Sequence, residues 1–179
     1  ARGHGYGIRS SFLRAATAQA RVTLVAKPHA APLLARFAPA VELLPLTAPW
    51  TVFSGKYRLH RWPWRELRHT LGQLRAHRFD LGVSARPDPR DHVLLALAGA
   101  RRRLGFSRRG SGALLTDALP RPPHPHRAEH WRRLAERLHW PFAPATPAPR
   151  LGRRIVIHPG AGHPVRIWPV ERFAEIAAR

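Results

Sequence analysis

Short apolar runs that suit β-strands alternate along this chain with longer segments that suit helices. β-Branched and aliphatic residues fill the strand-like runs, whereas the helix-like segments repeat apolar residues every three or four positions. The predicted strands are residues 21–26, 41–46, 79–84, 101–106 and 153–158, and the predicted helices are residues 29–39, 63–78, 89–100, 126–140 and 169–179. Such an alternation with short connections predicts an α/β fold, a Rossmann-like doubly wound parallel sheet.

A proline-rich stretch, residues 141–152, interrupts this alternation. Segments of this composition form semi-rigid linkers rather than packed elements. We therefore predict one domain over residues 1–140, a linker over 141–152, and the start of a second domain over 153–179, whose remainder this chain lacks. Because the chain contains no methionine and a strand is expected before residue 2, we expect the natural protein to begin upstream of Ala1.

The composition is strongly basic, with 31 Lys+Arg against 10 Asp+Glu and a net charge of +21. This charge attracts phosphate in nucleic acids, nucleotides and anionic lipids alike. A genome-wide preference for arginine explains the excess equally well, and its spread along the chain argues against a nucleic-acid-binding tail. The absence of cysteine excludes disulfides and thiolate-bound metals, and no apolar run reaches the roughly 18 residues that span a bilayer. We expect a cytoplasmic protein.

Two glycine-containing loops are candidates for chemistry, because ligands of doubly wound sheets bind beyond the carboxyl ends of the strands. The first loop, residues 2–11, alternates three glycines with other residues and is predicted to enter a helix near Ser10 or Ser11. Glycines let the backbone approach a ligand, and a helix N-terminus offers unpaired N–H groups. A tight strand-to-helix turn would require the same glycines without binding a ligand.

The second candidate loop, IHPGAGHPVRIWP at residues 157–169, follows the last predicted strand. Gly160 and Gly162 free its backbone, and the helix that follows directs its N-terminus at the loop. Arg166 adds a planar cation suited to a diphosphate. Trp168 either braces the loop or presents a ring to a ligand, and a plain turn with Trp168 in the core is the alternative.

In this second loop the chain resembles glycosyltransferase family 9, the ADP-heptose:lipopolysaccharide heptosyltransferases. The residues that carry the resemblance are His158, Pro159, Gly160, Ala161, Arg166, Trp168, Pro169, Arg172, Phe173 and Ala174. Residues 78–106 and 127–138 are similar to the acceptor domain of the family, so the resemblance extends over nearly the whole chain. Family members usually have lysine where this chain has Arg166, which keeps the charge but alters the geometry of phosphate contact.

The resemblance implies a GT-B fold, in which two Rossmann-like domains face a cleft and hold the acceptor and the nucleotide-sugar donor respectively. The donor phosphates would contact His158, Gly160, Ala161, Gly162, Arg166 and Trp168. Fixed N–H groups and Arg166 would stabilise the charge that develops on the leaving diphosphate, so neither a metal nor a cofactor is expected beyond an ADP-heptose type of donor. Acceptor contacts are expected from Arg58, Arg61 and Arg86.

One departure from the family concerns the proton acceptor. The first loop of the family carries an aspartate that takes the proton from the acceptor hydroxyl. Here Gly5 or Tyr6 stands at that position, depending on the alignment, and the first acidic residue of the chain is Glu42. His4 is one replacement because imidazole titrates near neutrality, and a carboxylate such as Asp88 is another. Altered or lost transferase activity is the third interpretation.

Two classes of function are open at this point. The first is transfer of a heptose or related sugar to an anionic glycolipid such as a lipopolysaccharide core, at the inner face of the inner membrane. Residues 56–65, rich in arginine and aromatics, would contact acceptor phosphates or the membrane itself. The second is a non-catalytic transferase-like domain that binds RNA, DNA or a partner protein. His126 and His130 lie one helical turn apart without a third ligand, so we predict no metal site.

Overall fold

The computed structural model of the chain describes residues 4–52, 57–121, 127–142 and 168–178, with side chains from residue 11 onward in the first range and from residue 129 in the third. The helices are α1 His4–Thr17, α2 Ala31–Phe37, α3 Trp64–Ala76, α4 Pro89–Leu97, α5 Arg127–Arg137 and α6 Val170–Ala177, and the strands are β1 Val22–Ala26, β2 Val41–Pro45, β3 Leu81–Ser84, β4 Arg102–Phe106 and β5 Asp117–Leu119. The chain divides into two compact units, Ala1–Ala145 and Thr146–Arg179.

Every strand pairing in this part of the chain is parallel. β1 pairs with β2, with Val22 opposite Val41, and β4 lies between β3 and β5, with Leu104 opposite Asp117. Parallel neighbours require a crossover connection, which α2 supplies between β1 and β2 and α4 supplies between β3 and β4. The predicted α/β fold with a parallel sheet is confirmed.

Helices cover both faces of the β3–β4–β5 sheet. On one face, Leu104 and Phe106 of β4 are fully buried against Phe12 of α1 and Leu134 of α5. Gly105 lies between those two residues and therefore faces the opposite side, because side chains alternate along a strand. On that side it lies against α4. The helices α1 and α5 thus form one outer layer and α4 belongs to the other.

The β1–β2 sheet has the same layered arrangement. Val41 packs with Leu34 of α2 in one cluster, whereas Leu44 packs with Leu74 of α3 in another. Apolar residues three or four positions apart on α3 supply the inward face that the sequence predicts. Within the described ranges β1 and β3 each pair along one edge only. The strand expected before residue 2 stays a prediction.

The element boundaries show which local signals were informative. Gly99 has φ +75° directly after the last turn of α4, where a left-handed residue ends a helix, as predicted. The predicted helix over residues 29–39 is shorter, because a 3₁₀ turn at Pro28–Ala30 precedes α2. Strand β5 was not predicted from the sequence, since three residues of mixed polarity carry no alternation that distinguishes them from a loop.

The predicted glycine loop at residues 2–11 is wrong as a loop. Helix α1 begins at His4 rather than near Ser10, so Gly5 and Gly7 lie within its first turns. An isolated glycine costs a helix about 1 kcal/mol, which neighbouring turns offset when they are packed. Phe12, in a later turn of α1, is buried in the core and anchors the helix there. The remaining glycine, at position 3, lies outside the described residues.

In the second unit the structure describes Trp168 to Ala178. Helix α6 follows Pro169, and the Trp168 ring meets the Phe173 ring edge to face at 5.1 Å. The predicted strand at residues 153–158 lies outside the described residues, as does most of the predicted linker, so the assignment of 153–179 to a second domain stays a prediction. Among the helices that the structure describes, none has the length and apolarity needed to cross a bilayer.

Candidate functional site

The connections that follow three successive strands meet at the start of α4. Trp50, after β2, donates its indole N–H to Asp91 Oδ1 at 2.6 Å. His92, the next residue of α4, places Nδ1 at 2.9 Å from the hydroxyl oxygen of Ser111, which follows β4. Both contacts lie at the carboxyl ends of the parallel strands, the edge at which doubly wound sheets bind ligands. We take this edge as the candidate site.

Asp88 organises the entry into α4. Its carboxylate accepts the backbone N–H of Arg90 at 3.1 Å, which makes it the N-cap, and it also pairs with the Arg90 and Arg86 guanidinium groups at 2.9 and 3.2 Å. Burial opposes ionisation of Asp88, but the hydrogen bonds and charges of the two arginines outweigh it and lower its pKa. Because both carboxylate oxygens are engaged, the structure gives Asp88 the role of a cap.

Asp91 differs from Asp88 although it lies only three residues further along the chain. Burial raises the pKa of Asp91 above its usual value, and the Trp50 N–H and the Arg86 charge counteract this only in part. Arg86 Nε lies 3.5 Å from Asp91 Oδ2, a longer approach than it makes to Asp88. A partly buried carboxylate with a raised pKa at the polar edge of a sheet is typical of groups that accept or donate protons.

His92 is completely buried beneath this edge. Burial lowers its pKa, so the imidazole is neutral at pH 7. Its Nε2 has no hydrogen-bond partner among the described residues. That nitrogen lies 3.2 Å from the position that a Cβ on Gly105 would occupy, so glycine makes room for the ring. The Ser111 hydroxyl also accepts the backbone N–H of Arg108, which shapes the connection after β4, while its contact with His92 links that connection to α4.

A row of three tryptophans joins this edge to the solvent. The ring centroids of Trp50 and Trp62 lie 5.5 Å apart, and those of Trp62 and Trp64 lie 5.4 Å apart. Trp50 is buried and Trp64 is exposed, so the row runs outward. The guanidinium carbon of Arg90 lies 5.8 Å from the centre of the Tyr57 ring, and this cation–π contact is a second link between the candidate site and the exposed aromatic residues. We call residues 57–68 the Trp–Arg surface.

The structure brings one of the three predicted acceptor arginines into the candidate site. Arg86 is half-exposed and contacts both Asp88 and Asp91. Arg58 and Arg61 are exposed on the neighbouring Trp–Arg surface, around a 3₁₀ turn at Leu59–Arg61. The sequence did not identify Asp91 or Trp50 as site residues. The two lie 41 positions apart, and no local pattern indicates that they meet.

The other predicted site residues are not tested by these contacts. His4, Gly5 and Tyr6 begin α1, and their side chains lie outside the described part. The same holds for most of the predicted donor loop, namely His158, Gly160, Ala161, Gly162 and Arg166. Trp168 is described, is half-exposed, and contacts Phe173.

No group of three potential metal-ligating residues occurs in the described ranges. His126, the predicted partner of His130 at helical spacing, lies outside them. His130 itself is buried, with Nδ1 at 3.0 Å from the Ala85 carbonyl oxygen and its ring 4.7 Å from that of Phe106. Those contacts give His130 a structural role between α5 and the sheet.

Two open cavities flank the β1–β2 and β3–β4 pairs. One, of about 340 Å³, lies at the carboxyl ends of β1 and β2, where Pro28 and Thr47 face Glu66, His69 and Gln73 of α3. The other, of about 320 Å³, lies at the amino ends of β3 and β4 and is lined by Arg75, Arg78, Phe79, Ala98, Gly99 and Arg101. Only the first lies at the edge where a doubly wound sheet binds ligands.

These features define a Rossmann-like α/β domain with a candidate site at the carboxyl ends of its parallel strands. The fold is similar to that of ADP-heptose LPS heptosyltransferase II from E. coli, with a TM-score of 0.60 and 21% sequence identity over 96% of this chain. The match covers 56% of that enzyme, so the chain spans little more than half its length. The likeness establishes a glycosyltransferase-like, GT-B type fold. No family model matches the chain, and no curated protein sequence matches it.

Proposed function

We propose that this chain is the acceptor-binding half of a glycosyltransferase that moves a heptose or related sugar from a nucleotide-sugar donor to an anionic glycan such as a lipopolysaccharide core. The observation that supports it most is the fold likeness to a heptosyltransferase over 96% of the chain. The cluster at the carboxyl ends of the strands agrees with it, because that edge of an acceptor domain faces the donor in a two-domain enzyme.

Acceptor binding is assigned to Arg86, Arg58 and Arg61, which carry fixed charge at or beside this edge. Guanidinium groups bind phosphate with two parallel hydrogen bonds. Arg86 is held by Asp88 and Asp91 while its side chain stays 47% exposed, so it is both oriented and accessible. The cavity of about 340 Å³ at the carboxyl ends of β1 and β2 offers room for a sugar ring.

Proton transfer is assigned to Asp91 rather than to Asp88. The acceptor hydroxyl oxygen forms the new bond to the anomeric carbon, the bond from that carbon to the diphosphate oxygen breaks, and its electron pair leaves with the diphosphate. The hydroxyl proton passes to the Asp91 carboxylate. Asp88 is the weaker candidate because two arginines pair with it at 2.9 and 3.2 Å and lower its pKa, whereas Asp91 Oδ2 has only the longer 3.5 Å approach of Arg86. His4 remains a second candidate from the sequence.

Donor binding is assigned to the loop after the last predicted strand, through His158, Gly160, Ala161, Gly162, Arg166 and Trp168. The loop would hold the diphosphate with backbone N–H groups and Arg166, without a metal ion. Calorimetry with ADP in the presence of a chelator tests this part alone. Binding that disappears with the chelator would contradict it.

The test of the reaction uses the full-length protein that contains this chain, with ADP-heptose and a lipopolysaccharide core acceptor, and measures release of ADP. Asp91→Asn should lower kcat by about 10²–10⁴-fold, the usual contribution of a positioned base. Asp88→Asn is the comparison variant, since asparagine also caps a helix; it removes one of the two carboxylates that hold Arg86, so it should raise KM for the acceptor while leaving kcat within a few-fold. Loss of activity in His4→Ala with full activity in Asp91→Asn would transfer the role to His4.

A non-catalytic, polyanion-binding domain is the second candidate, and the net charge of +21 favours it. Such a domain would bind RNA or DNA with a steep dependence on salt and would not bind ADP. Gel-shift measurements over a salt series, beside the calorimetry with ADP, separate the two functions. ADP binding without salt-sensitive oligonucleotide binding supports the transferase.

A further inference from the structure

The Trp–Arg surface exposes large apolar side chains beside the candidate site. Tyr57, Leu59 and Trp64 expose 77%, 55% and 47% of their surfaces. The Trp64 indole N–H donates to the Leu59 carbonyl oxygen at 2.9 Å, which fixes the ring next to that residue. Scattered exposed apolar residues are ordinary, but a contiguous group of them marks a contact surface.

One member of this apolar group, Trp64, rests on packed aromatic rings. Trp62 packs between Trp64 and the buried Trp50, whose own N–H is fixed by Asp91. Side chains that are ordered before binding lose less conformational entropy when they bind. The contacts of Trp64 with the Trp62 ring and the Leu59 carbonyl thus place its ring before a partner binds.

Arginines accompany the apolar side chains. Residues 57–68 contain four exposed arginines, Arg58, Arg61, Arg65 and Arg68, against one acidic residue, Glu66. Trp64 and Arg68 are four positions apart on α3, and neighbours at this spacing share one helix face. The charge of the surface therefore complements an anionic partner at the same place where its rings are exposed.

We propose that the Trp–Arg surface docks the protein on an anionic lipid bilayer. Tryptophan and tyrosine rings favour the headgroup region of a bilayer, where one side of the ring is apolar and the other is hydrated. Arginines bury their alkyl stems along the same layer and pair with lipid phosphates. The two features occur together here, and the exposed Leu59, which can neither stack on a base nor pair with a phosphate, favours a lipid surface over a nucleic acid.

Docking in this way would set the candidate site at the level of the headgroups. Tyr57 belongs to the Trp–Arg surface, and its ring lies against Arg90 at the start of α4. A phosphorylated headgroup would then be presented directly to the edge that carries Arg86. The proposal goes beyond sugar transfer and does not depend on it, because bilayer binding needs neither donor nor acceptor.

The test measures sedimentation of the full chain with phosphatidylcholine vesicles that contain or lack phosphatidylglycerol. We expect binding to the anionic vesicles only. The combined variant Arg61→Gln, Arg65→Gln and Arg68→Gln should bind about fivefold more weakly for each arginine removed, or roughly 100-fold in all. The matched control is Arg21→Gln, Arg36→Gln and Arg78→Gln, which removes the same charge from exposed positions outside the surface and should bind almost as well as the unaltered chain.

A second variant separates the apolar contribution from the charge. Leu59→Ser with Trp64→Ser should weaken binding at least tenfold while leaving the salt dependence unchanged, because only apolar contact is lost. Circular dichroism checks that each variant is folded. Equal weakening by the control arginines overturns the proposal, as does binding to an oligonucleotide without binding to anionic vesicles. If sugar transfer persists while vesicle binding is absent, the docking proposal is overturned and the proposed transferase function is not affected.

Discussion

The start of α4 and the Trp–Arg surface contain the same residue types but use them in opposite ways. At α4 the guanidinium groups of Arg86 and Arg90 pair with aspartates, whereas on the Trp–Arg surface the four arginines face solvent. Trp50 is 7% exposed with its N–H bonded to Asp91, and Trp64 is 47% exposed. Arginine and tryptophan thus build an ordered site in one region and a contact surface in the other, and the burial of the ring and the presence of paired aspartates decide which.

The largest expected effect separates the two tryptophans. Trp50→Ala should lower the free energy of unfolding by about 3–5 kcal/mol, because it empties a buried volume and leaves Asp91 without its indole partner. Trp64→Ala should cost about 1–2 kcal/mol, since half of that side chain already contacts water and the losses are the bond to Leu59 and the contact with the Trp62 ring. Urea unfolding of both variants measures the difference. Equal decreases in the free energy of unfolding would contradict the distinction between a buried Trp50 and an exposed Trp64.

A smaller effect is expected from two glycines. Gly105→Ala would place its Cβ 3.2 Å from His92 Nε2 and 3.3 Å from the Ser84 carbonyl oxygen, and should cost about 1–3 kcal/mol. Gly72→Ala is the matched change in α3, the helix that begins in the Trp–Arg surface. Nothing lies within 4 Å of its Cβ, so it should stabilise the chain by about 0.5–1 kcal/mol. Thermal unfolding of both variants checks the sign, and a stabilising Gly105→Ala would show that the space beside His92 is not tightly packed.

The architecture was largely predictable from the sequence. The alternation of strand and helix patterns fixes the parallel sheet, and Gly99 marks the end of α4. Local signals failed where tertiary packing prevailed. The glycines near the N-terminus indicated a loop, but α1 begins at His4, and its later turns pack against the core. β5 was too short to show a period.

The candidate site was less predictable than the fold. Asp88 was recognised as an available carboxylate, but its engagement by Arg86 and Arg90 depends on the turn that only the structure shows. Asp91 carried no signal in the sequence, since its burial arises from Trp50 in a distant connection. A residue type suggests what chemistry is available, whereas the environment that selects it comes from contacts between segments far apart in the chain.

The measurement that tests this account most directly is a ¹³C NMR titration of the side-chain carboxyls of Asp88 and Asp91. The folded pKa of Asp91 should lie above the usual 3.8 and that of Asp88 below it. Ionised Asp88 then stabilises the fold above pH 3.8, and this contribution is lost as the pH falls through its folded pKa. Asp91 has the opposite effect: its protonated form stabilises the fold at low pH, and this contribution is lost as the pH rises through the folded pKa of Asp91. A pKa of Asp91 at or below that of Asp88 would contradict the assignment of Asp91 as the proton acceptor.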